Sequence, residues 1–254
     1  MLEIVQIPVW QDNYAYLIRC PSSGVVALVD SPEAAPILQA LKARGWTLDL
    51  ILNTHHHPDH IGANLALKEA TGCSILGPEL DRKRIPGIDR GLQDGDALAV
   101  GEAKGQVLFV PGHTRGHIAF HFPDSKALFI GDTLFVAGCG RLFEGTPEQL
   151  WASFERVKAL PPKTQLFCAH EYTLSNLRFA LHVDPENLEL AALQTQAKAL
   201  REQGQPTVPS TLAQELATNP FLRADQPQLA AAVGLEGQPA HRVLGALRAL
   251  KDRF

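Results

Sequence analysis

The chain has 254 residues, of which 45% are hydrophobic and 20% charged, and its formal net charge is −4. Such a composition belongs to a folded globular protein and excludes a disordered or strongly basic chain, so no nucleic-acid partner is expected. No 18 apolar residues run together, so no membrane partner is expected either, and the length suits one large domain or a domain with a smaller companion.

From the N-terminus, three strands are expected as a meander: Leu2 to Val9, Tyr14 to Arg19 and Val25 to Asp30, with turns at Asp12-Asn13 and Ser22-Ser23-Gly24. Met1-Leu2-Glu3-Ile4 lacks the basic and apolar regions of a signal peptide, so none is expected. A helix follows Ser31-Pro32 to about Arg44 and stops at Gly45. The apolar run Leu48 to Leu52 reads as a buried strand. A helical pattern then runs from Ile61 to about Ala70, with a C-cap at Gly72. A short strand is expected at Ser74 to Leu76, followed by a loop whose Arg82, Lys83, Arg84 and Arg90 read as a solvated face. Further strands are expected at 97–100, 106–110, 117–122 and 126–130.

Thr146-Pro147-Glu148-Gln149 opens a helix, with Thr as N-cap, Pro in the first position and Gln closing a capping box. That helix runs to about Leu160, and the last strand is expected at Gln165 to Ala169. Beyond His170 the pattern is helical. Leu174, Leu177 and Leu181 form one stripe, and Leu190, Leu193, Ala197 and Leu200 another. Thr211 with Gln214 offers a second capping box, Ala240 to Lys251 a last helix, and no further strand is expected. The change near residue 172 divides the chain into expected domains 1–172 and 173–254.

Cys20, Cys73, Cys139 and Cys168 form no close pair and no C-x-x-C, which points to reduced thiols acting as small buried hydrophobes and to a cytoplasmic address. The chemistry concentrates elsewhere. Asn53-Thr54-His55-His56-His57-Pro58-Asp59-His60 places four imidazoles and a carboxylate between a buried strand and a helix, and these donors suit divalent metals. In extended chain His55 and His57 point the same way and His56 points elsewhere, while Asp59 and His60 could serve a second ion. His113, Asp132 and His170 each follow the end of another apolar strand, where loops from one sheet edge meet. His117 reads as a supporting hydrogen-bond partner, His121 as a strand residue facing polar surroundings, and His182 and His241 as surface residues.

These residues carry a resemblance. Thr54-His55-His56-His57-Pro58-Asp59-His60 matches the T-H-x-H-x-D-H motif of the metallo-β-lactamase superfamily, and Gly112-His113-Thr114-Arg115-Gly116-His117, Gly131-Asp132 and His170 match its later motifs in order. Within it, Gly131 to Arg141, Ala169-His170-Glu171-Tyr172-Thr173 and Pro206 to Thr211 resemble the glyoxalase II (hydroxyacylglutathione hydrolase) family. The resemblance implies an α/β fold, an αββα sandwich followed by a smaller all-α C-terminal domain. It implies two divalent metal ions, zinc foremost with iron or manganese as alternatives. One ion is assigned His55, His57 and His113, the other Asp59, His60 and His170, with Asp132 bridging and Asp30 behind the ligands.

The implied reaction is hydrolysis of an S-(2-hydroxyacyl)glutathione such as S-D-lactoylglutathione, by attack of a metal-bridging hydroxide that Asp59 orients. This is the second step of methylglyoxal detoxification. Substrate contacts are implied for Arg141, Leu142, Phe143, His170, Glu171, Tyr172, Arg248 and Lys251. Arg248 and Lys251 are three apart on one helix face and suited to a carboxylate. Phe143 stands where the family often has Tyr, which removes one possible hydrogen bond. A monomer is expected.

Within the superfamily a β-lactamase would carry a signal peptide and a nuclease a basic surface, while a lactonase is separated only by assay. A persulfide dioxygenase would use one iron, and a non-catalytic binding module would have lost ligands, of which none is missing here.

Overall fold

The computed structural model describes residues 1–254. The chain forms two compact units, Met1–Phe109 with Gly116–Gly131, and Val110–Arg115 with Asp132–Phe254. All four cysteines are free and buried, and no helix is long and apolar enough to cross a membrane.

The first unit opens with the expected meander: β1 (Glu3–Val9), β2 (Asn13–Arg19) and β3 (Val26–Val29) pair antiparallel. After α1 (Ala34–Arg44), ended by Gly45 at φ 64, β4 (Leu50–Leu52) joins parallel to β3. Next come α2 (Pro58–Ile61) and α3 (Asn64–Thr71), then β5 (Ser74–Pro78) and β6 (Arg90–Leu92), which extend the parallel side. The sheet order is β1 to β6 in sequence. A second antiparallel meander follows: β7 (Ala97–Val100), β8 (Ala103–Phe109), β9 (Ile118–Phe122) and β10 (Ala127–Gly131).

Packing explains why β2 and β3 show no polar alternation: both of their faces are covered. Ala15, Leu17, Val26 and Leu28 join Ile37, Leu41 and Leu67 of α1 and α3 in one apolar cluster. On the other face, Tyr16 of β2 meets Phe129 of β10 at 5.5 Å between ring centroids. Each such fully buried side chain contributes about 1.5–3 kcal/mol, and truncating Leu28 to Ala would cost about 2–5 kcal/mol.

Two features of this unit differ from expectation. The single helix expected from Ile61 is broken, because Ala63 N donates to Ser31 O at 2.8 Å instead of continuing a helical ladder. Gly62 lies there against Pro58 and Pro32, where an added Cβ would come within 3.0 Å of both carbonyl oxygens. The expected loop at 82–90 also ends in a strand, β6, whose three residues are too few to show a period.

The second unit begins with a small hairpin, β11 (Leu134–Phe135) and β12 (Gly138–Cys139). Then α4 (Pro147–Lys158) starts at the expected capping box, with both arms formed between Thr146 and Gln149. β13 (Gln165–Cys168) precedes α5 (Thr173–Val183) and α6 (Leu188–Glu202), which pack through Leu177, Ala180, Leu190 and Ala197. A two-residue strand, β14 (Ser210–Thr211), pairs antiparallel with β13, so the expectation of no strand after His170 is corrected. α7 (Leu212–Thr218), α8 (Pro227–Ala232) and α9 (Ala240–Lys251) complete the chain. Thr211 caps α7 by accepting from Gln214 N at 3.2 Å.

Candidate metal centre

In the first unit the donors are organised around Asp30. It ends β3 in a left-handed conformation, φ 55, and is 2% exposed. Because β4 runs parallel beside β3, the residues that follow Leu52 arrive at this carboxylate. Asp30 Oδ1 accepts from Thr54 N at 2.8 Å, and Oδ2 accepts from Thr54 Oγ1 at 2.9 Å and His60 Nδ1 at 2.8 Å. Charge-assisted bonds of this kind fix the His60 tautomer and turn Nε2 outward, the arrangement that commonly backs a metal-ligating imidazole.

The remaining donors of this unit lie close by. His55 Nδ1 is 3.1 Å from Thr54 Oγ1, and His55 Nε2 is 3.0 Å from His57 Nδ1. His60 Nε2 lies 3.4 Å from Asp59 Oδ2, and Asn13 Nδ2 donates to the same carboxylate oxygen at 3.2 Å. His56 departs from the group as expected, with Nδ1 3.0 Å from Asp81 Oδ2. His117 is fully buried and stacks on His55, with centroids 4.6 Å apart at 21°. His121 is corrected as well: it is 7% exposed, and burial lowers its pKa.

In the second unit His113, Asp132 and His170 are all buried. Asp132 Oδ2 lies 3.5 Å from His113 Nε2 and 3.4 Å from His170 Nε2, so one carboxylate oxygen stands between two imidazoles. His113 Nδ1 donates to Arg141 O at 2.9 Å, which leaves Nε2 on the side of the ring that faces Asp132. Gly140 makes that approach possible, since a Cβ there would come within 2.9 Å of His113 Nδ1.

The expected substrate residues in this unit separate into two kinds. Phe143 is 61% exposed and meets the His113 ring edge-on at 5.2 Å, while Tyr172, 37% exposed, stacks on His170. Arg141 is exposed, with Nε 3.5 Å from Asp252 Oδ1, and Leu142 is half-buried. Lys251 is half-buried with Nζ 5.3 Å from the Phe179 ring centre, and burial followed by the neighbouring Arg248 charge brings its pKa down to about 8. By contrast Arg248 is 4% exposed, donating from NH1 to Cys139 O at 2.7 Å and from NH2 to Asp252 Oδ1 at 3.1 Å. Glu171 accepts from Thr207 N at 2.9 Å and Thr207 Oγ1 at 2.6 Å.

Sequence reasoning missed Asn13, Asp81 and the Arg141 carbonyl as supports of the histidines. Asn13 reads only as a turn residue, and a backbone carbonyl leaves no trace in side-chain pattern. The donor chemistry suits a divalent cation, because imidazole nitrogens and carboxylates converge with their outer atoms already tied to the protein.

Comparison with known proteins agrees. Residues 9–170 match the family model described as metallo-beta-lactamase superfamily, and residues 171–254 match hydroxyacylglutathione hydrolase C-terminus. A protein named hydroxyacylglutathione hydrolase from Methylococcus capsulatus (strain Bath) is 56% identical over all of this chain and 99% of its own length. Among solved structures, ETHE1 from Myxococcus xanthus aligns with TM-score 0.67 and 25% identity over 99% of this chain and 98% of that one. TTHA1623, solved in a di-iron-bound form, aligns with TM-score 0.62 and 28% identity over 86% of this chain and 99% of that one.

Proposed function

Because the chain belongs to the hydroxyacylglutathione hydrolase family of the metallo-β-lactamase superfamily, we propose that its two donor sets together hold two divalent metal ions. The fold is α/β and metallo-β-lactamase-like with a helical C-terminal domain, and the activity is thioester hydrolysis of S-(2-hydroxyacyl)glutathione to a 2-hydroxy acid and glutathione. We assign His55, His57 and His113 to one ion and Asp59, His60 and His170 to the other, with Asp132 bridging. The observation that carries this is the Asp132 oxygen set between His113 and His170. Supporting it, His55 lies against His57 and Asp59 against His60 in the first unit, so each unit brings metal-ligating atoms together. Zinc is the proposed metal, residues 1–172 the proposed catalytic domain, 173–254 the proposed substrate-binding domain, and the cytoplasm the proposed location of a monomer.

When bound, such ions lower the pKa of water from about 15.7 towards 7 and polarise the thioester carbonyl. The side chains supply the rest. Asp59, steadied by Asn13, orients the attacking water, and the Asp30–His60 and Arg141–His113 bonds keep both imidazoles in their ligating tautomers. The glutathione thiolate leaves without help, since a thiol of pKa near about 8.5 needs no protonating acid. Phe143 and Tyr172 form the proposed wall for the substrate, with Leu142 beside it, while Arg141 and Lys251 face its carboxylates. Arg248 adds its charge from its place against the Cys139 carbonyl, and Glu171, tied to Thr207, sits beside Tyr172 in the chain.

The test is an assay of the metal-loaded protein with S-lactoylglutathione beside a β-lactam and a lactone. Cleavage of the thioester alone is expected, and preferred cleavage of either other substrate would overturn the reading.

A further inference from the structure

The hairpin of β11 and β12 has only two residues per strand, too little ladder to hold its own shape. Its backbone is held from outside instead. Asn219 Nδ2 donates to Phe135 O at 3.1 Å and Gly138 O at 3.0 Å, and Asn176 Nδ2 donates to Val136 O at 3.0 Å. Ala137 N donates to Glu215 Oε2 at 2.9 Å, and Arg248 NH1 donates to Cys139 O. Five consecutive residues, Phe135 to Cys139, therefore each give one backbone group to a buried side chain from α5, α7, α9 or the residue capping α7. Glu215 Oε2 also accepts from Asn219 Nδ2 at 3.0 Å, which couples two of these supports. Ala137 adopts φ 52, a left-handed conformation uncommon for a residue with a Cβ, and it persists because its surroundings over-determine it.

Both ends of the hairpin lead into the metal centre. Asp132 stands two residues before it. Two residues after it, Arg141 O accepts from His113 Nδ1, and Phe143 N donates to His113 O at 3.2 Å. A shift of the hairpin would move the Asp132 carboxylate and turn the His113 ring together.

We propose that Asn176, Glu215, Asn219 and Arg248 are positioning residues for the metal centre, holding the Phe135–Cys139 backbone so that Asp132 and His113 keep their ligating geometry. This rests on the reading of Asp132 and His113 as metal ligands. The helical part of the chain thereby acts on the metals as well as on the substrate.

The experiment compares the full chain with Asn219→Ala, Asn176→Ala, Glu215→Gln and a control, Leu41→Ala, which loosens the apolar cluster around α1 in the first unit, a cluster that holds no hairpin residue. Thermal midpoint, zinc affinity by competition with a chromophoric chelator, and kcat and KM on S-lactoylglutathione are measured for each. Loss of support behind a metal ligand typically costs about 10- to 100-fold in affinity or activity, so folded Asn219→Ala and Asn176→Ala should bind zinc at least about tenfold more weakly. Glu215→Gln keeps an oxygen for Ala137 N and Asn219 and should stay close to the parent. Leu41→Ala should lower the midpoint alone.

Parental zinc affinity and kcat in the folded asparagine variants would overturn the proposal, as would equal zinc losses in the control. If Asn219→Ala does not fold, Asn176→Ala, which removes a single bond, decides the matter. A parent chain that binds zinc yet leaves the thioester intact refutes the proposed function alone, and the zinc affinities still test the positioning role.

Discussion

The Tyr172 ring lies flat on the His170 imidazole, with centroids 4.7 Å apart and 5° between planes. Phe135 closes the edge of the same imidazole at 5.8 Å. His170 is thus held in its plane by aromatic contact. Stacked pairs contribute about 0.5–1.5 kcal/mol, so Tyr172→Leu should weaken binding of one metal ion about 2- to 10-fold. Tyr172→Phe keeps the stack and should match the parent. Chelator competition reads both, and equal affinities in all three proteins would show that the stack does not act on the ligand.

Asp59 and His56 stand three residues apart and should behave oppositely. Asp59→Asn keeps the shape but removes a charge beside His60, and kcat should fall by at least about 100-fold, the loss typical of one catalytic electrostatic group. His56 is engaged with Asp81, so His56→Ala should retain most of the activity. Steady-state kinetics on both variants decide it, and reversed effects would mean the wrong face of the cluster has been assigned.

Removal of metal should abolish hydrolysis, and activity should return in proportion to ions restored, reaching its plateau at two per chain. Elemental analysis beside the activity titration measures this. A fully active protein holding one ion would contradict the pairing of donors.

Lys251 gives a pH prediction. Its pKa is lowered to about 8, first by burial and then by Arg248, so its ammonium is present below that pH and lost above it. A carboxylate far from the scissile bond is bound equally in ground and transition states, so KM should rise above pH 8 while kcat stays level. A hydrogen bond to a charged group is worth about 1.5–3 kcal/mol, so Lys251→Met should raise KM about tenfold or more below pH 8 and abolish the further rise. High salt should narrow the difference. A thioester whose thiol lacks carboxylates should show neither effect, and equal losses on both substrates would remove Lys251 from the glutathione site.

The legible parts of this molecule were those written in side-chain type and period. The β1–β2–β3 meander, the Thr146 cap and the α5 and α6 stripes are local patterns, and each forms where its pattern stands. The seven proposed ligands announced themselves by following strand ends. What stayed hidden depends on long-range partners. The two residues of β14 pair with β13 across more than forty positions, and the break at Gly62 arises from Ser31, thirty-two positions earlier than Ala63. Arg248 illustrates the limit of helical spacing: three residues from Lys251 it looks like a surface pair, yet its guanidinium is buried against the Cys139 carbonyl.

The hairpin's dependence on distant side chains also sets a clock. Cys139 and Arg248 are 109 positions apart, an interval of roughly 5–20 s at ordinary rates of synthesis. Through that delay the Cys139 carbonyl lacks its guanidinium partner, while Asn176 and Asn219, which hold the Val136, Phe135 and Gly138 carbonyls, are made earlier. If Asp132 and His113 are ligands as proposed, the hairpin that places them gains its last side-chain support only when the C-terminal helix has been made.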